Sequence, residues 1–333
     1  VFLDVLFGVL PLFFVMLIGY AVSYSPKFPP SVEPALNVFV FYVALPALLY
    51  KVVARSDISH GVPLDFLWIT VLATLLFALS CWVIFRYVLR VDRGRSLAGM
   101  LSTSFGNVSY LGIPVILGVL GSQAGLAAGM GQLIHNVIFM VGFPILAQLM
   151  MPIGPGNGHK PSGRRIALTI RNALIYSPVT WAMVIGGAVV MWGIPVPQPI
   201  DDTVDLIAAA AAPGALFVIG LSLRRTVQRT LKRRASATAV PVRAAKRTMG
   251  IMVVGKMLAL PMLTVSLLWI FAPELDAMWF NTAVLMAAMP TSATAYIMAQ
   301  NDTGDGEPTA LAIVITCALS VVVLPVLAQL VLK

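Results

Sequence analysis

Ten predominantly apolar stretches alternate with short polar connections along the chain, near residues 3–23, 35–52, 66–89, 97–120, 125–150, 169–192, 201–223, 248–271, 278–300 and 309–332. Each has about the 20 residues that an α-helix needs to cross the hydrocarbon core of a bilayer. The sizeable polar segments left over are 151–165, punctuated by Pro152, Gly154, Pro155, Gly156, Gly158, Pro161 and Gly163, and the strongly basic 224–247. The pattern predicts an all-α polytopic membrane protein with ten transmembrane helices and no soluble domain between them. The first stretch contains Asp4 and has no basic leader or small-residue cleavage site ahead of a second start, so it is read as a retained span.

Composition agrees, since 59% of the 333 residues are hydrophobic and 11% are charged, more apolar surface than a soluble core of this size can hide. Charge then orients the spans. Lys27, Arg86, Arg90, Arg93, Arg95, Lys160, Arg164, Arg165, Arg171 and nine further basic residues in 224–247 put 18 on one side, against Lys51, Arg55 and Lys333 on the other. Short cytoplasmic connections retain Lys and Arg, which places the 18 in the cytoplasm and both termini outside. The net charge of +9 is thereby explained by topology, with anionic lipids as neighbours and no nucleic acid as partner. The stretch 224–234 suits a surface helix or a solvated loop, and the loop is the reading taken.

Catalytic chemistry is not signalled. Cys81 and Cys317 lie inside apolar spans, and His60, His135 and His159 are far apart. No Gly-rich phosphate loop is present. Neither an enzyme, a metal site nor a cofactor is expected.

The spans are interrupted in a patterned way. Pro46 falls inside the second and Pro213 inside the seventh, while the fourth carries Ser102-Thr103-Ser104-Phe105-Gly106-Asn107-Val108-Ser109-Tyr110 before Pro114. The ninth carries Pro290-Thr291-Ser292-Ala293-Thr294, with Pro290-Thr291 at the place that Gly106-Asn107 takes in the fourth. Five spans per half make two copies insert with opposite topology. The expected organisation is a first inverted repeat over 1–150, a cytoplasmic linker over 151–168 and a second repeat over 169–333 containing the basic loop 224–247. Pro46, Pro114 and Pro213 are marked as helix breaks. Backbone freed by a break costs several kcal/mol per group in hydrocarbon, so breaks are expected around a cavity, where half-helix N-termini attract anions.

Ionisable residues narrow the substrate. Asp and Glu are missing from the centres of the spans, which disfavours an organic cation, whereas Lys256 lies nine residues into the eighth, about 14 Å deep at helical rise. It can compensate substrate charge or exchange a proton, or it can cap broken-helix carbonyls without touching substrate. In the fifth span Gln132, His135 and Asn136 form a polar group in which the imidazole either couples a proton or rests on a backbone carbonyl. Thr291, Ser292 and Thr294 can donate to a carboxylate or bond back to their own helix. Tyr42 and Tyr296 either wall a cavity or pack as ordinary aromatics, and Asn37 is a weaker polar candidate.

The run Asn107-Val108-Ser109-Tyr110-Leu111-Gly112-Ile113-Pro114 resembles the fourth-span signature of the auxin efflux carrier family, the bacterial relatives of the plant PIN proteins. The stretches 37–48, 177–223 and Lys256-Met257-Leu258-Ala259-Leu260-Pro261 are similar to it as well, so the likeness covers essentially the whole chain. The resemblance implies two inverted five-helix repeats related to the bile acid sodium symporters, with crossed broken helices in a transport domain that moves beside a scaffold domain. It implies a bacterial inner-membrane carrier of a small organic anion, malonate-like or auxin-like, a plausible homodimer, and a proton or sodium as coupling ion. By position, Asn107 matches the residue that meets the substrate carboxylate and Pro290 matches a crossing proline. Gly106 departs from the pattern, which has a second proline there, and Lys256 stands where other members of the superfamily hold sodium. The competing readings are a sodium-coupled symporter of bile acid type and a passive channel or sensor.

Overall fold

A computed structural model describes residues 2–331 apart from 30, 57–60, 151–166, 169, 172–174, 237–241 and 304–305; the expected linker 151–168 therefore falls almost wholly outside the described residues. The described chain is helical. In order, α1 is Phe2–Val22, α2 Val32–Ala54, α3 Leu64–Val88, α4 Arg93–Ser104, α5 Val108–Leu120 and α6 Ser122–Met150. After the linker come α7 Pro178–Trp192, α8 Gln198–Ala209, α9 Ala211–Ser236, α10 over 242–271, α11 Ala277–Ala287, α12 Ala293–Thr303 and α13 Glu307–Val331.

Among the described residues, six helical segments are long and apolar enough to cross a membrane: Val32–Ala54, Leu64–Val88, Ser122–Met150, Gln198–Arg224, Arg247–Phe271 and Pro308–Leu330. Shorter apolar helices cover Leu10–Val22, Val108–Leu120, Pro178–Trp192 and Ala277–Ala287. Many large apolar side chains face outward, including Leu72, Leu75, Leu76 and Leu79 on α3 and Met262, Trp269 and Ile270 on α10. That distribution suits lipid as the surrounding solvent.

Prolines do not break the helices where the sequence marks them. Pro46 and Pro114 each occupy the first turn of an α-helical segment that directly follows a π-helical turn, Val40–Ala44 and Val108–Gly112 respectively. Pro144 and Pro261 stand in the same relation to Asn136–Gly142 and Gly255–Ala259. A proline cannot donate to the carbonyl four residues back, and its ring crowds that carbonyl; widening the preceding turn makes room and lets other amides take up the freed acceptors. At Pro213 the interruption is one residue, Ala210, between α8 and α9. A further correction concerns 224–247: the backbone of α9 continues as one helix to Ser236 rather than opening into a loop at Arg224. No Gly or Pro occurs between Gly220 and Pro241 to stop it.

Two sets of helices pack tightly. In one, α1 lies along α9, and α2 packs on α7 and α8. The α1–α9 approach is backbone to backbone: a Cβ on Gly19 would strike the carbonyl of Phe217, and one on Gly220 the carbonyl of Met16. Small residues permit such contact where dispersion, not the hydrophobic effect, holds helices together. In the other set α3 packs on α4 and α10, α11 on α6 and α10, and α12 and α13 on α4. This second set contains both chain breaks.

Candidate functional site

The half-helices that lead into the breaks are matched in length and start. Asp92 caps α4 by accepting from the Arg95 amide, and Asp276 caps α11 by accepting from the Met278 amide. Carboxylates at helix N-termini satisfy orphan amides and favour the positive dipole end. The two helices run 12 and 11 residues and stop. At about 1.5 Å per residue each is roughly half as long as a 30 Å hydrocarbon core is thick.

There the breaks meet. The Asn107 amide donates to the Pro290 carbonyl at 2.7 Å, and the Ser292 amide donates to the Phe105 carbonyl at 2.9 Å, so Gly106 and Thr291 pair as an antiparallel bridge. Each break thus satisfies the other's backbone. The helices that leave the crossing are capped by the residues just past the bridge: Asn107 Oδ1 accepts from the Tyr110 amide at 3.3 Å, opening α5, and Ser292 Oγ accepts from the Thr294 amide at 3.2 Å, opening α12. Asn107 and Ser292 are both buried. The Asn107 side-chain oxygen is thereby engaged within the chain.

Thr291 is committed elsewhere. Its hydroxyl donates to the Ser102 carbonyl at 2.8 Å, and its amide donates to Thr316 Oγ1 at 3.0 Å. Ser102 in turn shares a 2.6 Å hydrogen bond with Thr309. Thr291 therefore ties the second break to α4 and α13. Thr309 and Thr316 went unnoticed in the sequence because hydroxyls inside a continuous apolar span commonly bond their own helix, as Thr316 also does with Ala312.

Lys256 is brought to the same place by the π turn of α10. It is 0% exposed, and its ammonium donates to the Ala287 carbonyl at 3.1 Å and, more weakly, to that of Ser104 at 3.4 Å. These carbonyls belong to the C-terminal ends of α11 and α4. Of the two sequence readings, capping of broken-helix carbonyls is the geometry present. A Cβ on Gly106 would stand 3.0 Å from Lys256 Nζ.

The fifth-span group lies alongside. Phe105, in the first break, stacks on Phe139 at 4.7 Å, and Phe139 neighbours His135 at 5.9 Å. His135 Nδ1 sits 3.1 Å from the Gly131 carbonyl, while Nε2 and both amide atoms of Gln132 are buried without a hydrogen-bond partner among the described residues. Asn136 is buried at the start of the π turn 136–142. Thr294 is half-buried as the second residue of α12. Tyr42 is not brought to the site: it is 58% exposed and packs edge-on against Phe41. Tyr110, which the sequence did not single out, donates its hydroxyl to Asn37 Oδ1 at 2.7 Å and links α5 to α2. The polar run 102–110 contained the signal for Tyr110, but an aromatic beside a proline-bearing helix reads equally well as packing.

An all-helical chain with several membrane-crossing segments and two broken helices bridged in its interior is an integral membrane protein of the polytopic type. Residues 4–328 match the model of the family described as membrane transport protein, and the chain belongs to that family, the auxin efflux carriers anticipated above. It is 28% identical over 313 residues to a Rhizobium meliloti (strain 1021) protein that carries the name "Putative malonate transporter", covering 94% of this chain and 91% of that one. It is 25% identical over 325 residues to an "Uncharacterized transporter" of Methanothermobacter thermautotrophicus, with 95% of each chain covered. A third relative, "Uncharacterized transporter YfdV" of Escherichia coli (strain K12), is 26% identical over 219 residues, 64% of this chain and 67% of its own.

Proposed function

We propose that this protein is a secondary carrier of small organic anions, with malonate-like dicarboxylates as the preferred class. The observation that carries the reading is the pair of helix N-termini, α5 and α12, that open at the crossing behind Asn107 and Ser292. Each presents amides and a positive dipole end inside the protein, where a carboxylate is favoured and where little water competes for it. The Asn107 amide nitrogen, the Ser292 hydroxyl and Thr294 supply side-chain donors. Pro290, Thr291 and Gly106 hold the bridge that fixes these groups, and Gln132, His135 and Asn136 flank it. The name of the Rhizobium relative points to the same substrate class.

The wider reading is ten spans in two inverted repeats, 1–150 and 169–333, with α1, α2, α7, α8 and α9 as scaffold and the remaining helices as a transport domain that moves as an elevator. Support comes from the matched Asp caps of α4 and α11, from the equivalent breaks, and from the two packing sets. The protein is placed in the bacterial inner membrane with both termini outside and the basic segments in the cytoplasm, beside anionic lipids, with a homodimer as the assembly. A passive channel would use the same cavity without alternating access.

Counterflow decides between them. Liposomes bearing the purified protein are preloaded with unlabelled malonate and exposed to labelled malonate with no ion gradient. Transient accumulation above equilibrium is expected; simple equilibration would indicate a channel, and no uptake of any carboxylate by folded protein would remove the substrate class.

A further inference from the structure

The connection between α1 and α2 folds against α9 and leaves a cavity of about 350 Å³, far from the crossing in both sequence and packing set. Ser23, Tyr24 and Ser25 from the connection, Glu33 from the first turn of α2, and Arg224 and Gln228 from α9 line it. Its walls are held in place. One turn away, Gly19 and Gly220 let the α1 and α9 backbones touch, and Phe28 packs edge-on against Phe217 at 6.0 Å, fixing the connection on α9.

The cavity brings opposite charges to one place. The Arg224 guanidinium lies over the Tyr24 ring, 4.3 Å from its centroid, and the Tyr24 hydroxyl shares a 3.0 Å hydrogen bond with that of Tyr20. The stack holds a long side chain to the wall without using its N–H groups. Arg224 Nε is shielded from solvent and has no hydrogen-bond partner among the described residues. A desolvated donor of this kind is costly to leave unmet, and a guanidinium fork matches phosphate oxygens. Glu33 sets a carboxylate on the same cavity. It opposes a ligand that carries negative charge alone and accepts from one that adds an ammonium.

The approach to the cavity is apolar. Phe7, Phe14, Leu17, Ile18 and Ala21 are exposed along one side of α1 at helical spacing, and the stripe ends at Tyr24. On a membrane helix such a face meets acyl chains. A ligand with its polar end in the cavity can lay its tail along α1.

We propose that this cavity binds one aminophospholipid, with the phosphodiester on Arg224, the primary ammonium on Glu33 and an acyl chain on the α1 stripe. The site differs from the basic connections, whose field favours anionic lipids whatever their headgroup. It stands independently of the transported substrate.

The full chain, purified in detergent and stripped of lipid, is titrated with phosphatidylethanolamine, phosphatidylglycerol or phosphatidylcholine of identical acyl chains. Bound lipid is counted by native mass spectrometry, and thermal unfolding is followed in parallel. One phosphatidylethanolamine is expected to be retained about tenfold or more tightly than either other lipid, the equivalent of one charge-assisted hydrogen bond, and to raise the melting temperature most. Phosphatidylcholine has the same charges but no ammonium proton to donate. Arg224→Ala should lose the retained lipid, and Glu33→Gln should hold the three lipids alike. Arg93→Ala, which removes an exposed charge outside the cavity, should behave as wild type. Should Arg224→Ala fail to fold, Glu33→Gln tests the site by itself. Equal retention of the three lipids by the wild type, or a preference for phosphatidylglycerol, would overturn the proposal, as would an unchanged preference in Glu33→Gln. Free phosphoethanolamine that stabilises as well as the lipid would assign the cavity to a soluble zwitterion and overturn the lipid.

Discussion

Two polar regions join the first and second halves of this chain, and they differ in almost everything except charge. At the crossing, one ammonium sits fully buried on the carbonyls of Ser104 and Ala287, beside a backbone bridge. At the ends of α2 and α8, Lys51 pairs with Asp205 at 2.9 Å, and Arg55 pairs with Asp201 at 2.7 Å and Asp205 at 2.9 Å. The ion pairs of the second region are each shorter than either contact of the ammonium. Its side chains are nevertheless 32–41% exposed, so water and salt screen each pair. The number of ion pairs is thus a poor guide to what holds the halves together. The buried ammonium has no substitute solvent, and removing it leaves acceptors unsatisfied in a medium that cannot compensate.

The difference can be broken from the crossing outward. Gly106→Val should have the largest effect, because its Cβ would press on Lys256 Nζ at 3.0 Å and on the Met289 carbonyl at 3.4 Å. Overpacking of this kind costs about 1–3 kcal/mol, and we expect little monodisperse protein by size exclusion and no counterflow. Recovery of folded protein by adding Lys256→Ala would locate the clash at the ammonium, whereas no recovery would assign it to the backbone.

Asn107→Ala comes next. Losing one hydrogen bond to a charged ligand is worth about 1.5–3 kcal/mol, so malonate affinity should fall about ten- to hundredfold, beside a stability loss of about 0.5–2 kcal/mol from the missing cap of α5. Unchanged uptake kinetics would take Asn107 out of the site. Thr291→Val separates bridge from ligand: it keeps the side-chain shape but deletes the donor to the Ser102 carbonyl. A loss of about 1–3 kcal/mol is expected in stability, with the substrate KM unmoved; a raised KM at unchanged stability would return Thr291 to the binding set. Arg55→Ala is the smallest. Its melting temperature should lie within about 2 °C of wild type, as exposed pairs contribute little, and a large drop would show that the outer cluster is dry in the membrane.

Much of this was legible in the sequence for identifiable reasons. Gly106-Asn107 and Pro290-Thr291 stood out because polar and helix-breaking residues are rare inside apolar spans, and both lie at the observed bridge. Lys256 stood out for its depth, but the carbonyls it meets lie 31 and 152 residues away on other helices, which no local pattern encodes. Pro46 and Pro114 misled, since a proline has two outcomes in a membrane helix and a widened turn upstream chooses the milder one. Tyr42 had two readings, a cavity wall or ordinary aromatic packing, and on the π turn Val40–Ala44 it is 58% exposed and packs on Phe41.

The bridge also sets an order of events during synthesis. The amide of Asn107 finds its partner on Pro290, and the carbonyl of Phe105 finds its partner on Ser292. At about 5–20 residues per second, the ribosome takes roughly 10 to 40 s to travel from the first break to the second. Throughout that interval the Asn107 amide and the Phe105 carbonyl lack the partners they have in the finished fold. The nascent protein must spend that time in a protected setting, at the insertion machinery or with water held in the gap, before its second half arrives to complete it.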